Sequence, residues 1–273
     1  MIRKQIFAGS WYPLDSAKLE KMIKITSTSD NKDFFGVVPH AGLYYSASLI
    51  KLFFNTLSPE VNKMLLITPS HYFSLPTNVL GSGNIESFEC SIQNIPGFSV
   101  SGLEEGYEKV TQAEHAVEMI LPFIAERKNL SLCCAHVNQF SDINKASGYA
   151  QKLLATIDDK TAVLASSDFT HYGKSFGYTP YGSIINKDVV DKVSTYDINI
   201  AKRFAIGDGR SAYIQATQKD EATICGIAPM LIVSEMARLT KMRGRVLGQS
   251  NSIEGSSFNE NSFVSYLSIA WRK

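Results

Sequence analysis

Three of the chain's five histidines follow short apolar runs that break at a turn. Met64-Leu65-Leu66-Ile67 runs into Thr68-Pro69-Ser70 and presents His71. Phe34-Phe35-Gly36-Val37-Val38-Pro39 ends in His40, and Ala162-Val163-Leu164-Ala165 ends in Ser166-Ser167-Asp168-Phe169-Thr170-His171. Runs this short read as buried strands rather than helices. Ligands of open α/β sheets bind at the carboxyl ends of the strands, so three strand-end imidazoles imply one shared polar site. Neutral imidazole is a common ligand of iron, copper and zinc. His40 and His71 are the cleaner pair, each directly following a turn that contains proline. His136 lies inside Ala135-His136-Val137, still within a strand pattern, and reads as a satisfied core residue.

Three further groups could act with these. Asp168 and His171 share one short loop, where a carboxylate can orient an imidazole for proton transfer; an Asx-turn is the plainer reading of Asp168. Cys225 precedes Gly226 and an apolar helix. A thiol at a helix N-terminus has a lowered pKa, which suits a nucleophile or a thiolate ligand, while a small buried hydrophobe is the alternative. Glu114-His115-Ala116-Val117-Glu118 places His115 and Glu118 on one helix face, but it lacks the second histidine of HExxH. A solvated helix start with acids complementing the dipole explains it equally.

The elements that must position these groups alternate. Asp15 or Ser16 caps a helix through Leu19, Met22 and Ile23, followed by a polar loop over 27–33. Helices are expected from about Leu49 to Leu57, Glu114 to Arg127 with a kink or late start at Pro122, and Ile143 to Thr156. Others are expected over Ile185–Phe204, Ser211–Thr217 and from Cys225 to about Met242. Between them fall the three strands above and Leu130–Val137. Val79–Ile92 reads as a strand with irregular connection and Pro96–Glu105 as loop. Val246-Leu247-Gly248 and Ser262–Ala270 read as closing antiparallel strands. This predicts one α/β domain over residues 1–273, with a mostly parallel central sheet flanked by helices.

Composition narrows the function. The 273 residues are 44% hydrophobic, ample for a core, and 27 basic against 26 acidic residues leave a net charge of +1. That balance argues against nucleic acid and membrane surfaces as partners. Cys90, Cys133, Cys134 and Cys225 form no CxxC pair, so a reducing cytoplasm is the expected compartment. No signal peptide follows Met1-Ile2-Arg3-Lys4, and no apolar run reaches the roughly 20 residues of a membrane span.

Six ordered blocks carry a resemblance. They are Ala8-Gly9-Ser10-Trp11-Tyr12, Pro39-His40-Ala41-Gly42, Pro69-Ser70-His71, Glu114 to Pro122, Ser166 to His171, and Thr223-Ile224-Cys225-Gly226. Together with Val264-Ser265-Tyr266 they look like the Memo family, also called the AmmeMemoRadiSam system protein B group. The resemblance implies a fold similar to class III extradiol dioxygenases, which use non-haem iron. It implies iron, or copper, on His40, His71 and Cys225, with Cys225 in place of the dioxygenase's glutamate. It makes His171 an acid/base group beside Asp168. Trp11, Tyr45 and Tyr172, in or beside the matching blocks, would wall the cleft near Glu114, His115 and Glu118. It also implies a small-molecule or peptide substrate, and radical-SAM and AMMECR1-like partner proteins. Ile120 stands where eukaryotic members carry histidine, and Gly226-Ile227-Ala228-Pro229 lacks their basic pair. Three functions follow: a metal-dependent dioxygenase-like oxidoreductase, a cleft that binds without turnover, or a thiol hydrolase using Cys225, His171 and Asp168.

Overall fold

The computed structural model describes residues 1–26, 32–218, 222–254 and 260–273; most of the expected 27–33 loop lies outside them. The chain opens with β1 (Ile2–Arg3), turns through residues 7–12 and forms α1 (Ser16–Ile23), where Asp15 accepts from Lys18 N. Next come β2 (Asp33–Val38), α2 (Leu43–Thr56) and β3 (Lys63–Thr68). Four two-residue strands follow, β4 (Gly81–Ser82), β5 (Ser87–Phe88), β6 (Ile95–Pro96) and β7 (Glu104–Glu105). Then come α3 (Glu108–Ala113), α4 (His115–Glu118), α5 (Leu121–Glu126), β8 (Ser131–His136), α6 (Ile143–Thr156), β9 (Thr161–Ser166) and β10 (His171–Gly173). The chain closes with α7 (Lys187–Ala205), α8 (Gly209–Gln218), α9 (Ile227–Leu239), β11 (Arg243–Asn251) and β12 (Ser262–Arg272).

The main sheet runs β10-β12-β2-β9-β3-β8-β4-β7, with β11 also paired to β12. Its four central strands, β2, β9, β3 and β8, are mutually parallel, as expected. β12, β10, β11 and β4 join antiparallel, so the sheet as a whole is mixed. β2 and β9 are buried along their whole length, because helices cover both faces of a parallel centre. Gly36 lies in β2 because Phe53 of α2 packs on it; an added Cβ would stand 2.3 Å from that ring. The main apolar cluster runs from Tyr12 to Trp271, which fits one α/β domain.

Two expected segments differ. The single helix over 114–127 is instead α4 and α5, with Glu114 as the cap of α4 and Pro122 in the first turn of α5. Proline lacks the N–H an interior position needs, so the helix restarts there rather than passing through. The last helix begins at Ile227 and leaves Cys225 in the turn before it. No helix among the described residues is long and apolar enough to cross a membrane.

Candidate metal centre

β2, β9 and β3 are neighbours in register, with Val38 opposite Ser166 and Ile67 opposite Ala165. Their carboxyl ends therefore release His40, Asp168 and His71 on one edge. Asp168 ties the first two together: its Oδ1 accepts from His40 N at 2.8 Å and Ala41 N at 3.3 Å. Cys225 reaches this edge because α9 begins very close to β9. A Cβ on Gly226 would lie 2.3 Å from Ser166 O, and Gly226 N donates to Ser167 Oγ at 3.0 Å. Only glycine permits that approach.

Each imidazole has one nitrogen fixed. His40 Nδ1 lies 2.8 Å from Ser166 Oγ, whose hydroxyl donates to Ala116 O at 3.4 Å. That direction makes Ser166 an acceptor toward a proton on His40 Nδ1, leaving Nε2 with its lone pair. Nε2 faces Cys225 Sγ at 3.2 Å. His71 Nδ1 lies 2.8 Å from Glu114 Oε1, and His71 N donates to Glu114 Oε2 at 2.7 Å. The ligand atoms of His40, His71 and Cys225 all lie within 4.8 Å of one another. Two outer oxygens that orient two imidazoles are the usual support of a metal-binding histidine pair.

Burial holds His40 well below its ordinary pKa, and His71, His115 and His171 add to this, so the ring is neutral. Cys225 departs from expectation. The residue as a whole is half-buried, but desolvation of its sulfur, with Asp168 nearby, pushes the thiol well above the ordinary value. Proximity to the α9 terminus does not outweigh that burial, and the thiol keeps its proton until a cation displaces it. Burial also raises Asp168, against the opposing influence of His171 and the two amides it accepts.

Asp168 and His171 do not hydrogen-bond to each other among the described residues. His171 Nδ1 instead faces two carbonyls, Phe169 O at 3.0 Å and Thr223 O at 2.9 Å. Carbonyls only accept, so Nδ1 carries a proton. The hydrolase arrangement is not assembled either, since Cys225 Sγ pairs with His40 and with Asp168 O at 3.6 Å.

A cavity of about 480 Å³ opens over this edge, lined by His40, His71, Asp168, His171, Trp11 and Tyr45 among others. His115 lines it too and is buried to 7% exposure, which corrects the solvated-helix reading; Trp11 packs on its ring at 4.7 Å. Glu114 stands behind His71 as a support. Glu118 is not in the cavity: it is fully buried against Arg3, 2.6 Å away, and accepts from Phe7 N and Tyr12 Oη. Its i,i+3 spacing from His115 fixes a helix side but not what covers it. Tyr172 also lies elsewhere, packed on Phe263 with its hydroxyl donating to Gly182 O at 2.7 Å. As the middle residue of β10 its side chain takes the opposite face from His171. His136 is a satisfied core residue, held by Thr68 Oγ1 and Thr111 Oγ1 at 2.8 Å each. Sequence reasoning missed Arg3, whose charge near a chain start signals nothing locally, and Tyr44, Phe176 and Tyr266 of the cavity wall.

Two imidazoles at the ends of parallel strands, with a thiol from the turn before α9, define an α/β protein with a candidate metal site. A family model for Memo-like proteins matches residues 3–270, and the chain belongs to that family. It is 26% identical over 301 residues to a MEMO1 family protein of Thermococcus onnurineus, covering 100% of both chains. A MEMO1 family protein of Methanosarcina mazei is 24% identical over 285 residues, with 98% of each chain covered. One from Schizosaccharomyces pombe is 25% identical over 275 residues, covering 85% of this chain and 86% of that protein.

Proposed function

We propose that this chain is a metal-dependent redox protein in which His40, His71 and Cys225 hold iron or copper. The observation that carries the reading is the 3.2 Å approach of Cys225 Sγ to a bare His40 Nε2, beside a His71 already oriented by Glu114. Three protein ligands leave positions for substrate and oxygen, as in sites built from two histidines and a carboxylate. The resemblance to class III extradiol dioxygenases points the same way, with Cys225 standing for their glutamate. Thiolate is softer than carboxylate, which admits copper. When bound, the ion supplies electron transfer and polarises an oxygen donor of the substrate.

The protein's own groups do the rest. His171 Nε2, on the cavity wall, accepts a proton from a bound substrate, while its Nδ1–H stays anchored on two carbonyls. Asp168 fixes the backbone that carries His40 by accepting from His40 N and Ala41 N. Trp11 and Tyr45 give the substrate apolar walls.

A second reading, binding without turnover, is favoured by the exposed rings of Tyr44, Tyr45 and Phe176 at the cavity. Metal analysis of freshly purified protein tests the first reading. Near-stoichiometric iron or copper is expected, lost in Cys225→Ser, with iron partly restored in Cys225→Glu. Undiminished affinity in Cys225→Ser overturns it. Ligand binding that survives complete metal removal would instead favour the second.

A further inference from the structure

Behind His71 lies a second set of donors. Glu114 is buried to 1% exposure, and its Oε1 is 2.8 Å from His71 Nδ1. On its other side His115 Nδ1 lies 3.2 Å from the same oxygen. That contact is not aligned as a hydrogen bond, and His115 Nδ1 is buried with no hydrogen-bond partner. The ring is enclosed by Trp11 at 4.7 Å and His71 at 4.4 Å, and cannot swing out to water without breaking that packing. A bare nitrogen beside a carboxylate oxygen sets two lone pairs against each other. A protonated one leaves a buried N–H unmet. A cation between them resolves both cases, and a buried polar atom without a partner is where such an ion is sought. The 2.8 and 3.2 Å separations approach the roughly 3.3 Å ligand–ligand edge of a tetrahedral site with bonds of about 2.0 Å.

We propose that His71 Nδ1, Glu114 Oε1 and His115 Nδ1 form a second divalent-cation position, of the nitrogen-and-oxygen kind that zinc takes. One ligand atom from each of His71, Glu114 and His115 lies within 4.8 Å of the other two. The position is built from its own atoms and does not depend on the redox reading, although it shares the His71 ring. It has no sulfur, so it selects a harder ion than the Cys225 set. Both His71 and His115 line the cavity, which leaves the fourth coordination place open to a small ligand. If both positions fill together, His71 serves one ion through Nδ1 and the other through Nε2, and its last ring proton passes to solvent.

Cobalt(II) tests this, because a sulfur ligand gives an intense charge-transfer band that nitrogen and oxygen ligands do not. The full chain is stripped with chelator and titrated with cobalt(II), with circular dichroism as the check on folding. Cys225→Ser is expected to bind one cobalt ion without that band. Adding His115→Gln, or Glu114→Gln should the first double variant fail to fold, is expected to weaken that binding at least tenfold. The proposal is overturned if Cys225→Ser takes up no cobalt, or if its cobalt survives in the folded double variant. The redox reading is judged separately, by the presence of the band in the unmutated protein.

Discussion

His40 and His136 both sit at the carboxyl ends of parallel strands of one sheet, and both are at most 1% exposed. Burial drives both pKa values down, His136 to about 4 and His40 well below its ordinary value, so both rings are neutral at pH 7. The difference is in the last nitrogen. His136 has a threonine hydroxyl on each side and nothing left to offer. His40 has one nitrogen on Ser166 and the other facing a thiol. Burial and neutrality are thus common to a core histidine and a candidate ligand; a nitrogen paired with a thiol rather than a hydroxyl separates them.

The largest effects should come from removing each ring. His40→Ala is expected to weaken iron or copper binding by more than about 100-fold, beyond the cost of losing an outer-shell partner. His136→Ala should leave metal binding unchanged and cost roughly 2–5 kcal/mol, since it opens a cavity and takes one partner from each of two buried hydroxyls, which keep Pro69 O and Tyr107 O. Metal titration and urea unfolding of both variants read the contrast; equal metal loss in the two would break it.

The next effect is on acid stability. With His136 at about 4 in the fold and near 6.5 unfolded, the unfolded chain takes up the proton first as pH falls. The contribution is therefore present above pH 6.5 and lost on the way down to 4, about 3 kcal/mol in all. His115, lowered to about 4 by burial and His71, adds in the same direction. Asp197 opposes them. Burial raises it to about 6, partly offset by its bonds to Thr170, so stability falls as pH rises from about 4 to 6. Unfolding between pH 4 and 7 should show the His136 slope in the wild type and lose that share in His136→Gln; an unchanged slope would remove this residue from the account.

The smallest is a tautomer effect. Ser166→Ala frees His40 Nδ1 and should lower metal affinity about 10–100-fold without displacing the ring, whereas Thr68→Ala beside His136 should not alter it at all. Calorimetric titration of both variants distinguishes them, and equal affinities would mean that Ser166 does not set the ligand.

The strand-end positions of His40, His71 and Asp168 were legible because apolar runs and proline breaks are local signals. So were the parallel centre and the closing antiparallel pair. What covers a side chain is not local. His115 looks like a surface residue from its own helix, and residues of the N-terminal turn enclose it. Cys225 shows the same limit: position suggested a lowered thiol pKa, but Asp168 and burial, supplied from distant parts of the chain, raise it. Tyr172 lay next to the right histidine and still faced away, because strand neighbours alternate sides.

The Arg3–Glu118 pair bridges 115 positions of chain, and the His40–Cys225 contact bridges 185. On a ribosome, which delivers the chain from its N-terminus, these spans become an order of events. Arg3 must wait for Glu118 before Phe7 N and Tyr12 Oη find their acceptor. His40 then waits for Ser166 and Asp168, and the sulfur comes after all of them. A nascent chain halted short of residue 225 therefore already carries every imidazole of the site and Glu114, but not its softest donor. On the metal reading proposed above, a thiophilic ion would gain its sulfur ligand only after more than four-fifths of the 273 residues had been made.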